Sequence, residues 1–335
     1  MDLEEFLKEW HNEKSTVLVY TSGSTGKPKP MLVEKRRMEA SARITCQFLG
    51  LKPGDRALLC MSLDYIAGKM MVVRALTCGL KLIAVKPCGC PEWEGDIDFA
   101  AMVPMQVYNL LQSEEGRKRL KAIKHLIIGG GAIDDALARA LVGFPNHVWS
   151  TYGMTETLSH IALRRLNGPE ASEWYMPFEG VTLSQNEDGC LVIDAPAVHD
   201  GPLVTNDIVE FELSSLHPSP ITRHHPIPFR IKGRKDNVIC SGGIKIQIEE
   251  VEKLLRPHLS EPFMISKRPD KKFGEQVVLL TELDVIDDVK DVCQRFLPKY
   301  WQPRSYLHVN QLPMTDTGKP ARKEAERLAT LAIEV

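Results

Sequence analysis

Apolar positions along the chain fall into short runs divided by polar, glycine or proline breaks, and their period changes from run to run. Thr16-Val17-Leu18-Val19-Tyr20, β-branched and aromatic, reads as a buried strand that a polar loop leaves at the end of a sheet. Glu34 to Leu49 has helix-forming composition, and Leu51 to Asp55 (LKPGD) ends it with proline and glycine. Arg56 to Ser62 (RALLCMS) reads as the next strand. Ile66 to Cys78 (IAGKMMVVRALTC) reads as an apolar helix in which Ala67, Met70, Met71, Arg74 and Cys78 share a face. His125 to Ala132 (HLIIGGGA) is a strand running into three glycines, with a helix over Ile133 to Leu141, and Val148 to Thr157 (VWSTYGMTET) repeats the strand and its bend. This order predicts an α/β fold, a largely parallel sheet covered by helices. From Leu166 to Phe229 the composition shifts to proline, glycine and short alternating runs such as Cys190 to Ile193 and Ile208 to Leu213, which predicts short strands in a barrel-like or distorted sheet. A helix over Ala321 to Ala332 takes Pro320 in its first turn.

Length and composition narrow the classes. A chain of 335 residues exceeds one ordinary core and suggests two domains, while 43% apolar and 26% charged residues are those of a globular protein. A net charge of -2 gives no general attraction to nucleic acid or to an acidic membrane, so neither is expected as a partner. No apolar run approaches the ~20 residues of a membrane helix. The acidic first fifteen residues are unlike a signal peptide, and the expected location is the cytoplasm. Of eight cysteines, Cys46, Cys60, Cys190 and Cys293 sit in apolar segments and are expected as buried free thiols. Cys88-Gly89-Cys90 is the one close pair, with no second pair at zinc-like spacing.

Three stretches carry candidate chemistry. Thr21 to Pro30 (TSGSTGKPKP) can be neither core nor regular structure. Gly23 and Gly26 let backbone amides turn inward, and Ser22, Ser24, Thr25 and Lys27 supply donors, an inventory suited to a polyphosphate, although a flexible linker would share the composition. It is not a Walker A loop, because two residues separate the glycines and Pro28 follows Lys27. Thr155 and Glu156 set a hydroxyl and a carboxylate side by side; a carboxylate near a polyphosphate loop is explained by a shared Mg2+, which makes Glu156 the metal residue. Arg74 is a cation among apolar neighbours, which either snorkels or pairs with an acid, or meets an anionic ligand.

Together these stretches resemble the adenylate-forming superfamily of acyl-CoA synthetases, adenylation domains and luciferases, over Thr21 to Lys319. Thr21-Ser22-Gly23-Ser24-Thr25-Gly26-Lys27 looks like its phosphate loop, and Gly130-Gly131-Ala132 like the turn beside adenine. Tyr152-Gly153-Met154-Thr155-Glu156 is similar to its Tyr-Gly-x-Thr-Glu segment, with Ser150 where many members have an adenine-contacting Asn. Val204-Thr205-Asn206-Asp207 resembles its Thr-Gly-Asp, whose carboxylate takes the ribose hydroxyls. Asn206 there replaces a glycine, a residue type that accepts left-handed backbone angles. Gly233-Arg234-Lys235-Asp236 looks like the hinge, with Arg234 reaching the nucleotide and Asp236 as pivot. The resemblance places Gly242-Gly243 on the CoA path and Lys319, in Leu312 to Pro320 (LPMTDTGKP), in the active site for adenylation. Without the upstream motifs, the hinge region would read as a charged hairpin and Lys319 as a solvated lysine.

Tyr65 occupies the family's acyl-pocket histidine position, and Asp64 replaces the aromatic residue beside it. The helix with Arg74, followed by Gly79-Leu80-Lys81-Leu82, is similar to the o-succinylbenzoate-CoA ligases of menaquinone synthesis. The implied fold is an N-terminal AMP-binding domain over 1–235, with a β-rich subdomain over about 166–235, and a small mobile α/β lid over 236–335. Relative to full-length members the phosphate loop begins early, which implies an acyl pocket left open or closed by a partner subunit, a second copy being one such partner. The implied activity is an ATP-, Mg2+- and CoA-dependent ligase of an aromatic carboxylate. Alternatives are another aromatic acid, transfer to a carrier protein, or a non-catalytic nucleotide-binding regulator, against which the presence of both Glu156 and Lys319 argues.

Overall fold

The computed structural model describes residues 1–20, 29–212, 227–315 and 320–331. The chain divides into two compact units. The first comprises Met1–Ser184, Val192–Leu203 and Phe211–Arg230, and the second Gln185–Leu191, Val204–Glu210 and Ile231–Val335.

The first unit opens with helix α1 (Leu3–His11), which the sequence reading above does not name. Its signal was an Asp2/Glu5 capping box, with Asp2 accepting from Glu5 N at 2.8 Å and Glu5 accepting from Asp2 N at 2.9 Å. Strand β1 (Thr16–Tyr20) forms, yet it pairs antiparallel with β2 (Pro30–Glu34) in a ribbon of its own. The expected buried strand is therefore half-buried: Val17 and Val19 face the core, and Leu18 and Tyr20 face out, because a two-stranded ribbon has one face on protein. Helix α2 (Lys35–Leu49) ends at Gly50, whose φ of 65° forms the left-handed cap.

Next come β3 (Arg56–Leu59), α3 (Ile66–Cys78), β4 (Lys81–Ala84), β5 (Ile97–Met102), α4 (Pro104–Leu111), α5 (Glu114–Ala122), β6 (Ile123–Ile128), α6 (Asp135–Leu141), β7 (His147–Gly153), β8 (His160–Arg165) and β9 (Met176–Pro177). They build a seven-stranded sheet of order β4-β3-β5-β6-β7-β8-β9. Its β3 to β7 strands are parallel, and β8 and β9 run antiparallel at one edge. Side-chain alternation on β5 shows how both faces are covered. Ala100 and Met102 pack with Val107 and Leu110 of α4, while Phe99 lies beneath Arg74 of α3. Helix α3 is buried all round from Gly68 to Ala75, rather than on the single face its spacing suggested. With α2 on one side and the sheet on the other, no stripe is left for solvent.

Strands β10 (Thr182–Gln185), β11 (Cys190–Asp194), β12 (Leu203–Phe211) and β13 (Phe229–Arg234) form a four-stranded sheet in that order. The second unit continues with β14 (Val238–Ser241), β15 (Ile244–Gln247), α7 (Ile248–Leu255), β16 (Phe263–Asp270), β17 (Gly274–Thr281), α8 (Asp287–Phe296), β18 (Ser305–His308) and α9 (Arg322–Leu331). Period-2 alternation on β16 and β17 separates two cores. Ile265, Val277 and Leu279 pack with α7 and α8, and Met264, Val278 and Leu280 pack with α9. Among the described residues no helix is long and apolar enough to cross a membrane.

Strand β16 is an edge strand, and its outward backbone groups at Ile265 are closed by a buried ion pair. Glu252 of α7 accepts from Ile265 N at 3.0 Å and pairs with Arg322 of α9 through two 2.7 Å bonds, while Arg322 donates to Ile265 O at 3.0 Å. Glu252→Ala leaves both Arg322 and an edge amide unpaired. It is expected to destabilise the second unit by ~3 kcal/mol or more in urea unfolding, whereas the exposed Glu324→Ala should change stability by less than ~1 kcal/mol.

Candidate active site

The glycine turn after β6 is pinned by its backbone, with Gly129 N donating to Met102 O at 3.0 Å at the end of β5. Gly129 has no room for a side chain, since a Cβ would stand 2.1 Å from Thr151 Oγ1. The next residues, Gly130 at φ 78°, Gly131 and Ala132, are exposed beyond the carboxyl ends of the parallel strands. That edge of an open α/β sheet is where ligands bind.

Strand β7 delivers Ser150, Tyr152 and Gly153. Ser150 is buried with its hydroxyl 2.7 Å from Tyr175 Oη. The Tyr152 ring is also buried, edge-on to Phe229 at 5.1 Å and 6.0 Å from Tyr175. Gly153 closes the turn into β8 opposite His160, and a Cβ there would meet Ser159 O at 2.2 Å, so only glycine permits the pairing. The turn is set by Thr157, whose Oγ1 accepts from Met154 N at 3.0 Å and donates to Ser159 O at 2.7 Å. Leu158, at φ 64°, is the one non-glycine residue with positive φ among those described. A leucine in the left-handed region is strained, a state that persists where its surroundings over-determine it. Thr155 is buried on this turn and Glu156 is partly exposed.

Beneath the turn lies a polar chain that sequence reasoning reached only at Arg74. The Arg74 side chain is 2% exposed, which excludes snorkelling, and no carboxylate pairs with it among the described residues. Its Nη2 donates to Ser159 Oγ at 2.6 Å, its Nε has no hydrogen-bond partner, and burial pulls its pKa down to about 10. Ser159 Oγ lies 3.1 Å from His160 Nδ1, His160 Nε2 lies 3.2 Å from Thr45 Oγ1, and Thr45 donates to Ser41 O at 3.1 Å. The donors give the chain one direction: arginine to serine, serine to Nδ1, Nε2–H to threonine, threonine to carbonyl. His160 is therefore neutral with its proton on Nε2. Burial first, and the Arg74 charge second, hold its pKa well below the ordinary value. The available signals were Ser41 and Thr45 at i, i+4 on α2 and the Ser-His pair one residue after Thr-Glu-Thr. Tyr65 stands at the N-terminus of α3, exposed.

In the second unit, Asp207 lies on β12, and Arg234, at the end of β13, donates to it at 3.3 Å and to Asp236 at 3.4 Å. Asn206 does not take the left-handed conformation expected at a glycine position, because it lies within extended β12. Its amide instead donates to Asp236 Oδ2 at 3.1 Å. Gly242 (φ 58°) and Gly243 (φ 83°) are the two central residues of the tight β14–β15 hairpin, a turn that requires positive φ at both. Thr21, Ser22, Gly23, Ser24, Thr25, Gly26, Lys27 and Lys319 lie outside the described residues.

Glu156 meets the requirement for a Mg2+ ligand. No hydrogen bond or ion pair within the described residues occupies its carboxylate, and Mg2+ at nucleotide sites takes one or two carboxylates plus phosphate oxygens rather than a closed protein cage. Among the described residues, no group of three or more His, Cys, Asp or Glu could hold a metal.

A largely parallel sheet with glycine and Thr-Glu turns at its carboxyl edge is the framework of the first unit. Residues 4–188 match the AMP-binding enzyme family, and the chain belongs to it. It is an enzyme of the AMP-forming acid–thiol ligase class. The chain is similar to the acyl-CoA synthetase (AMP-forming)/AMP-acid ligase II-like protein of Dyadobacter fermentans, at 32% identity and TM-score 0.63, over 97% of this chain and 92% of that one. It is also similar to a 2-succinylbenzoate–CoA ligase of Bacillus cereus, at 23% identity over 96% of this chain and 71% of the relative's length. The O-succinylbenzoate Coenzyme A synthetase of Bacillus subtilis, solved with ATP and magnesium, shares the fold at TM-score 0.71 and 21% identity, over 92% of this chain and 69% of that one.

The neutral His160 gives the fold a pH signature. Unfolded, the ring binds a proton below about pH 6.5; folded, it resists, so the unfolded state holds more protons and stability falls as pH drops below that value. This loss is expected to deepen steadily from pH 6.5 to pH 5. Urea unfolding of His160→Asn across this range should show a shallower acid loss than wild type, with His125, pushed down to about 4 chiefly by burial, and His147, also lowered chiefly by burial, adding to the slope that remains.

Proposed function

We propose that the chain is an ATP-dependent carboxylate–CoA ligase that works through an acyl-adenylate, with o-succinylbenzoate as the acid and o-succinylbenzoyl-CoA, AMP and pyrophosphate as products, a step of menaquinone synthesis. The observation that carries the substrate is Arg74. The acid has two carboxylates, and activating one leaves the other to enter an apolar pocket, where an unpaired charge costs several kcal/mol. Arg74 is a buried guanidinium with an unpartnered Nε and no carboxylate neighbour among the described residues, three residues along the turn from Glu156 through Ser159. The names of the Bacillus relatives favour the same acid.

In this reading the domain boundary falls at 235/236. The donors of Thr21 to Lys27 hold the phosphates, and the turn of Gly130, Gly131 and Ala132, with Ser150, Tyr152 and Gly153, borders the adenine. Asp207 takes the ribose hydroxyls, with Arg234 held in place between Asp207 and Asp236. The substrate carboxylate attacks the α-phosphate of ATP; Thr155 and Lys319 stabilise charge on the phosphoryl oxygens and on departing pyrophosphate. Glu156 would hold Mg2+, which when bound neutralises phosphate charge. The lid then turns about Asp236, Lys319 leaves, and CoA enters past Gly242 and Gly243 so that its thiol attacks the acyl carbon. Tyr65 borders the acyl group. The two stages replace hydroxide, a poor leaving group, by AMP.

A pyrophosphate-release screen across carboxylic acids, with and without CoA, tests the activity; release without CoA and thioester only with CoA are expected, and no release with any acid overturns it. Arg74→Leu is expected to lose ~2 to 5 kcal/mol in kcat/KM on the diacid, to gain relative preference for a monocarboxylic aromatic acid, and to keep its ATP affinity. Equal losses on both acids, or an unfolded variant, would make Arg74 structural. Lys319→Ala should suppress adenylation and leave thioester formation from supplied acyl-adenylate nearly intact; equal losses in both half-reactions would remove Lys319 from this role.

A further inference from the structure

The cysteines divide by environment. Cys46, Cys60, Cys190 and Cys293 are buried as expected, and burial pushes the Cys60 thiol up to about 12 and Cys293 to about 11. Thiols so held are inert. Cys88 and Cys90 are exposed and free, in Pro87-Cys88-Gly89-Cys90-Pro91 between β4 and β5, and the ligase chemistry uses neither.

The segment is held in one shape. Helix α4 anchors it from one side, with Gln106 Nε2 donating to Cys88 O at 2.9 Å and Asn109 Nδ2 to Gly89 O at 3.0 Å. A Cβ at residue 89 would stand 3.0 Å from that Asn109 nitrogen, so a larger residue would press against the clamp. Pro91 biases Cys90 towards extended angles, and the backbone bends at Gly89 and Cys90. Even a fully extended chain separates Cα atoms two residues apart by no more than ~7 Å, and a bend shortens this into the ~4.4 to 6.8 Å that disulfides accept. Joining two cysteines across a single residue also closes so short a loop that little chain entropy is lost.

We infer that Cys88 and Cys90 form a dithiol site for low-molecular-weight disulfides, which convert it to an intrachain Cys88–Cys90 disulfide. One thiolate attacks a sulfur of the external disulfide, breaking its S–S bond and releasing one thiolate, which takes up a proton. The second cysteine thiolate then attacks the protein sulfur of the mixed disulfide, forming the new S–S bond and releasing the second small thiol. Two protein thiols lose two electrons and two protons, and one external disulfide becomes two thiols. The bonds from Gln106 tie the result inward, since its Nε2 also donates to Cys60 O at 3.0 Å and its Oε1 accepts from Val103 N at 3.1 Å.

The test treats the reduced full-length chain with glutathione disulfide without oxygen, quenches with iodoacetamide and maps peptides by mass. Cys240, exposed and with no cysteine near it in sequence, reports reagent access. The expected result is a Cys88–Cys90 peptide that loses two hydrogens, escapes alkylation and is restored by dithiothreitol, while Cys240 carries a glutathione adduct. Cys90→Ser and Cys88→Ser should each stop at a single glutathione adduct on the remaining cysteine. Two alkylated thiols, two separate adducts, or a disulfide from either cysteine to another partner, under conditions that modify Cys240, would each overturn the proposal.

Discussion

A guanidinium removed from water, with no carboxylate paired to it among the described residues, sets the terms for the first unit. Burial alone costs several kcal/mol per ion, and the compensation visible around Arg74 is polar but neutral: a serine hydroxyl, a methionine sulfur 3.9 Å from Nη1 and the face of Phe99 at 6.0 Å. A residue in this position pulls its surroundings into a defined arrangement. Ser159 must point inward, so the turn from Gly153 to His160 is fixed from below as well as by its own hairpin bonds. His160 must stay neutral, so Thr45 of α2 must accept from it. Three elements distant in sequence, α2, α3 and the turn into β8, thus meet in one chain of polar groups.

How much of this was legible depends on whether a feature is local. Glycine, proline and period marked α2, α3 and the β6 turn to within a residue or two, because caps and breakers act over neighbouring positions. Tyr152-Gly153-Met154-Thr155-Glu156 was legible for the same reason, since Gly153 is required by its own hairpin. Partnership was not legible. Nothing in Thr16 to Tyr20 says that its hydrogen bonds go to Pro30–Glu34 instead of the large sheet, as ladder partners are chosen by the tertiary fold. Burial all round α3 could not be read from a face-by-face pattern, and Arg74 gave no sign of Ser159, 85 residues away. Asn206 was read through analogy as a residue that tolerates the left-handed angles of a glycine, whereas here the chain runs on as an extended strand.

The second unit solves a different problem with the same means. A small sheet between two helical layers leaves an edge, and Glu252 and Arg322 reach around β16 from opposite faces to close it. The pair is polar where a hydrophobic seam would also bury well, because apolar side chains can satisfy neither the amide nor the carbonyl of Ile265.

The segment leading into the β14–β15 hairpin carries a mechanical asymmetry. Gly233 is buried against Gln247, whose amide nitrogen would stand 2.3 Å from a Cβ at that position and donates to Arg234 O at 2.9 Å. The side chain thus lies across the backbone like a bolt, and dihedral change at residues 233 and 234 would have to dislodge it. Lys235 to Asn237, a single turn of tight helix with its side chains on the surface at 235 and 236, is tied through side chains instead, Lys235 to Asp188 at 2.6 Å and Asp236 to the Asn206 amide at 3.1 Å. A change of backbone angle within this turn would exchange side-chain bonds at the surface, whereas a change at residues 233 and 234 would have to displace the Gln247 amide itself.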